Sequence, residues 1–70
     1  MNWEPQEKTG YTLLHAQMGE RLYAIQKKDG IGGWRLFYRG SESEVLRTIF
    51  IGGSMTDCFV YADSYEAGIQ

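Results

Sequence analysis

The sequence predicts an α+β fold: a small antiparallel sheet of three or four strands with one helix packed on one face. Three observations carry this. Three β-prone runs, the clearest of them alternating apolar with polar residues from Trp34 to Arg39, are separated by glycine-containing turns. A final run has its apolar residues at helical spacing behind a capping box. Two Trp, five Tyr and three Phe in 70 residues supply rings enough for a packed core.

The elements follow in order. Residues 1–10 are polar apart from Trp3 and are punctuated by Pro5 and Gly10, so they read as an extended arm pinned by Trp3, with a single domain over 11–70. Tyr11 to Met18 is the first strand candidate, and Gly19-Glu20 marks a turn. Arg21 to Lys28 is the second, followed by the reversal Asp29-Gly30-Ile31-Gly32-Gly33. Trp34 to Arg39 alternates most clearly: Trp34, Leu36 and Tyr38 share the expected core face, and Arg35, Phe37 and Arg39 point away from it. The second half admits two orders. Ser41 to Glu44 has capping-box spacing, which permits a helix next, yet Val45, Thr48, Ile49, Phe50 and Ile51 favour a strand. The second capping box, Ser54 to Asp57, precedes Met55, Cys58, Phe59, Ala62, Tyr65 and Ile69 at helical spacing. Strand over 45–51, then helix over 55–67, is the preferred order.

Composition narrows function. The chain has one Cys, one His and one Pro, so it holds no internal disulfide, and Cys58 with His15 cannot fill a zinc site. No metal or cofactor is expected. No run approaches the roughly 20 apolar residues of a membrane span, and Met1-Asn2-Trp3-Glu4-Pro5 lacks the basic and apolar regions of a signal peptide. A cytoplasmic location without membrane contact is expected. Catalysis finds no constellation. Ser54 follows Gly52-Gly53 without a nucleophile-elbow pattern, Cys58 lies on the apolar stripe, and Glu42 with Glu44 reads as a solvated turn. Gly30-Ile31-Gly32-Gly33 is neither a P-loop nor a dinucleotide-binding turn. A non-enzymatic protein is expected.

Charge is segregated. The net charge is −2, but residues 21–40 carry Arg21, Lys27, Lys28, Arg35 and Arg39 against Asp29. Residues 41–70 carry Glu42, Glu44, Asp57, Asp63 and Glu66 against Arg47. A basic hairpin therefore precedes an acidic end. Two binding surfaces are candidates. On the helix, Asp57, Val60 and Tyr61, framed by Asp63 and Glu66 and joined by Glu42 and Glu44, form a protein-binding face with an apolar anchor and an acidic rim. On the sheet, Arg35, Phe37 and Arg39 with Lys27 and Lys28 form a stacking and phosphate-binding face for nucleic acid. A homodimer is a further expectation for so small a core.

The run Gly33-Trp34-Arg35-Leu36-Phe37-Tyr38, then Ile49-Phe50-Ile51-Gly52-Gly53, then a helix ending Ala62-Asp63-Ser64-Tyr65-Glu66, resembles small strand-strand-strand-helix proteins of phages and mobile elements. These include short prophage reading frames, the arm-binding domains of some integrases and several anti-CRISPR proteins. The resemblance is one of pattern over residues 11–67 and contains no diagnostic motif. It implies a stoichiometric inhibitor that occupies a surface of a host nucleic-acid-handling defence complex. A nucleic-acid-binding regulator and a structural homo-oligomer are the alternatives.

Overall fold

The computed structural model describes residues 1–69; Gln70, the last residue of the expected domain, lies outside them. Among the described residues the chain forms five strands and one helix: β1 (Glu4–Gln6), β2 (Tyr11–Met18), β3 (Arg21–Lys28), β4 (Trp34–Arg39), β5 (Arg47–Gly52) and α1 (Met55–Ile69). The strands form one antiparallel sheet in sequence order, β1 and β5 at its edges. The expected three or four strands are thus five. The extra one lies in the presumed arm, where residues 4–6 pair with Leu13 to His15. Three residues that include Pro5 carry no alternation signal, so only pairing with β2 reveals them as a strand.

Turn chemistry sets the hairpins. Met18 faces Arg21 across a two-residue loop in which Gly19 has φ +63° and Glu20 is not in the positive region. That is the type II′ pattern, whose twist matches the flanking strands. The Ser41–Glu44 capping box closes a turn rather than opening a helix. The Glu44 carboxylate accepts hydrogen bonds from the Gly40 amide (3.0 Å) and the Ser41 hydroxyl (3.4 Å), and β5 follows. At the second capping box the Ser54 hydroxyl accepts from the Asp57 amide at 3.1 Å, which caps α1. Gly52 lets the chain turn from β5 into the helix, because a Cβ there would meet the Phe50 ring at 2.7 Å and the Asp57 Cβ at 3.1 Å.

Register assigns every side chain to a face. On the helix side one row runs Pro5, Leu14, Ile25, Leu36, Phe50, and the next Ala16, Tyr23, Tyr38, Arg47. Helix residues Cys58 and Ala62 are fully buried with Ile25, Leu36 and Tyr23. Trp3, Met18, Trp34, Phe59 and Tyr65 border this core. Trp3 packs on Phe59 with ring centroids 5.3 Å apart, so it ties the segment that begins β1 to the helix. Glu66 closes the core. It accepts hydrogen bonds from the Tyr23 hydroxyl (2.9 Å) and Arg21 Nε (3.0 Å) and pairs with the Arg21 guanidinium.

Candidate functional site

Among the described residues no helix lies over the second face of the sheet. Its rows, read across the strands, are Gln17, Leu22, Arg39; then Glu4, His15, Ala24, Phe37, Thr48; then Gln6, Leu13, Gln26, Arg35, Ile51; and last Tyr11, Lys28. The centre is apolar. Ala24 and Leu22 are buried there by their longer neighbours, while Leu13, His15 and Phe37 are half-buried and Ile51 is exposed. The rim is basic, with Lys28 and Arg35 exposed and Arg39 half-buried. On this face Glu4, at the β1 edge, is the acidic residue among those rows.

Two side chains on this face are held in unusual settings. Arg39 Nε is buried and has no hydrogen-bond partner, the one such side-chain atom among the described residues. A buried donor left unpaired costs free energy. His15 has its pKa lowered from the ordinary 6.5, first by burial and second by the positive charge of Arg39. Both causes favour the neutral imidazole, so near neutral pH His15 is a polar, uncharged part of the surface.

The structure brings some of the residues expected on this face together and not others. Arg35, Phe37 and Arg39 do share it, and Lys28 joins them from β3. Lys27 does not. It lies on the helix side, in register with Thr12, with its ammonium 6.0 Å from the centre of the Trp34 ring. Trp3 does not cover Phe37, because it is on the opposite side with Phe59. His15, Leu13, Gln26 and Ile51 were missing from the expected face. Alternation within β2 and β3 is obscured by their apolar residues on both sides, and register alone sorts them.

The expected helix face is more dispersed than its spacing implied. Glu66 is 6% exposed and faces Tyr23 and Arg21 in the core, so it forms no part of an outer rim. Its place is a correction: i, i+3 and i+4 steps from Cys58 and Ala62 put it on the buried stripe, with Arg21 supplying the opposite charge. Glu42 and Glu44 are in the β4–β5 loop, at the end of β5 remote from Asp57, and Glu44 is committed to the Gly40 turn. Asp57, Val60, Tyr61 and Asp63 are exposed on α1. With Phe50 and Ser64, three of them line an open groove of about 300 Å³ between α1 and β5. Tyr61 stacks flat on Phe50 there, centroids 4.4 Å apart and planes 11° apart.

Catalytic pairing is ruled out by position for the one thiol and the one imidazole. Cys58 is buried under α1 with its Sγ 3.7 Å from the Trp34 carbonyl oxygen, while His15 is on the far face of the sheet. Burial, then the neighbouring Asp57, pushes the Cys58 thiol pKa up, away from a reactive thiolate. Among the described residues no cluster of three His, Cys, Asp or Glu side chains could hold a metal ion, and no helix is long and apolar enough to cross a membrane. No protein family, curated protein or solved structure matches this chain.

Proposed function

We propose that this chain is a small non-enzymatic binding protein whose working surface is the uncovered sheet face, and that the face takes single-stranded nucleic acid. The observation that carries the reading is the joint placement of Arg35, Phe37, Arg39 and Lys28 around an apolar centre that no element of the fold covers. Bases stack on an exposed aromatic ring whatever their identity, and basic side chains beside it hold the phosphates. A flat sheet offers no helix to enter a major groove, which favours a single strand over a duplex. The net charge of −2 does not oppose this, because local field governs association. Among the acids, Glu66 is paired in the core, Glu44 caps a turn, and Asp57 and Asp63 are on the helix side.

Fluorescence anisotropy with a labelled single-stranded oligonucleotide tests this. Binding weakens with salt at a log–log slope of about −2, as expected for three cations meeting a single strand. Arg35→Ala and Arg39→Ala each weaken it and flatten that slope. Phe37→Ala costs about 1–3 kcal/mol, the loss of one stacked base. Binding that ignores salt and all three substitutions overturns the reading.

A second reading is favoured by the Phe50–Tyr61 stack. Here the chain is a stoichiometric inhibitor of a host nucleic-acid-handling complex, as the resemblance to small phage proteins implies. Val60 and Tyr61 anchor it in the partner, and Asp57 and Asp63 supply the acidic rim. A pull-down of one host complex, lost on charge reversal of Asp57 and Asp63 but kept by Arg35→Ala, would select it over the first.

A further inference from the structure

The two edges of the sheet are built differently. β1 has three residues, one of them Pro5 and one Glu4, and is a poor template for another strand. β5 carries no proline, and from Thr48 to Gly52 it carries no charge. Its outer backbone groups face no strand, since β5 is the last in the sheet. Exposed apolar side chains flank it in three places: Val45 ahead of its first residue (88% exposed), Ile51 on the bare face (58%) and Val60 on α1 (61%). An edge without proline, its charge confined to Arg47 at the first position, is a site at which a further strand adds.

Its charges say which strand. Arg47 begins β5, where its guanidinium donates to the Tyr65 hydroxyl at 3.3 Å and lies over the Tyr38 ring. Asp57 stands at the other end, packed against Gly52 and Gly53. Both are exposed and on the helix side of the sheet. Antiparallel pairing of β5 with a second β5 about a two-fold axis near Phe50 reverses one strand against the other. Arg47 of each protomer then meets the Gly52–Gly53 end of its partner, beside the partner's Asp57, and symmetry makes the contact twice. The Ile49 irregularity opposite Leu36/Phe37 bends β5 but leaves Phe50 to Gly52 paired in register with β4.

From this we infer that the chain forms a homodimer through β5, joining two five-stranded sheets into one of ten strands. The two-fold axis is perpendicular to the sheet, so both helices fall on one side and both uncovered faces on the other. The groove lined by Phe50, Val60, Tyr61 and Asp57 is closed along the seam by its symmetry copy. The inference goes beyond the nucleic-acid reading and stands without it; if both hold, the dimer presents one basic-aromatic face of twice the width.

Sedimentation equilibrium of the full chain over a range of concentrations tests it, with circular dichroism as the control for folding. The wild-type chain is expected to reach the dimer mass with a dissociation constant in the micromolar range or tighter. Arg47→Asp and Asp57→Arg each place like charges across the seam twice and weaken the dimer by at least about tenfold. The double variant Arg47→Asp with Asp57→Arg restores it. Val60→Glu, at an exposed helix position where folding is undisturbed, weakens it as well. A wild-type chain that stays monomeric throughout overturns the inference. So does a dimer that none of the folded variants weakens, or one that either charge reversal weakens and the double variant fails to restore.

Discussion

Glu66 shows how one residue changes the surface of the molecule. A carboxylate in a run of acids reads as part of a solvated face, yet it is held in the core by the Tyr23 hydroxyl and by Arg21, which begins β3. Burial and then the Glu66 hydrogen bond push the Tyr23 pKa strongly upward, so the phenol stays protonated and donating. Tyr23→Phe keeps the ring and the ion pair and loses one hydrogen bond to a charged acceptor. It is expected to cost about 1.5–3 kcal/mol in a urea titration. Glu66→Ala strands the Tyr23 hydroxyl and both Arg21 donors, and is expected to cost more than Tyr23→Phe. His15 gives a pH dependence of known sign. Its pKa is depressed in the fold, so the unfolded chain binds the proton more readily. Its stabilising contribution is complete above about 6.5 and is lost as the pH falls from there through the lower folded value. Glu4 faces His15 from β1, and burial followed by the charge of Arg39 on β4 sets the direction of the shift. Wild type should therefore lose stability between pH 7.5 and 5.5 more steeply than His15→Gln, as read from urea midpoints at each pH. Equal slopes would show that the imidazole is not held neutral.

At the scale of elements, local signals were legible where one face of a segment is solvated or one turn residue is decisive. Trp34 to Arg39 alternates because β4 has Arg35 exposed on one side and Leu36 fully buried on the other. The helix announces itself through Ser54 and the Cys58–Ala62 stripe. Ser54→Ala should cost about 1 kcal/mol by removing the bond to the Asp57 amide, seen as a lower urea midpoint with the far-ultraviolet dichroism of the helix retained. The Ser41–Glu44 box was ambiguous for a physical reason: the same side-chain-to-amide bonds that start a helix also close a tight turn. β1 was illegible because three residues hold no period, and its existence depends on β2. Likewise β3 is buried at Leu22, Tyr23, Ala24 and Ile25 in succession, so its sequence gives no face. The face of Lys27, and with it the makeup of the basic surface, follows only from the pairing of β3 with its neighbours.

The whole molecule is a two-layer domain that covers one face of its sheet and leaves the other bare. Small size explains why one helix is all the cover available. Segregated charge in the sequence becomes a partial division in space: Lys28, Arg35 and Arg39 lie on the bare face with Glu4 at its edge, and Asp57 and Asp63 lie with the helix, where Lys27 and Arg47 also fall. The sequence showed a basic hairpin ahead of an acidic end, but which of those charges share a face follows from register: Lys27 leaves the basic surface, and Glu42, Glu44 and Glu66 leave the acidic one. Side-chain methyl groups report directly on which side a ligand takes. On the bare face Leu13, Leu22, Ala24 and Ile51 carry them; on the helix side Ile25, Leu36, Ala62 and the exposed Val60 do. A methyl NMR titration with a single-stranded oligonucleotide is the most direct test of the central claim. Shifts at Leu13, Leu22, Ala24 and Ile51 that saturate with added strand, with Val60 and Ala62 unmoved, are the predicted result. Saturating shifts at Val60 with the bare-face methyls unmoved, or no shifts at all, would contradict it.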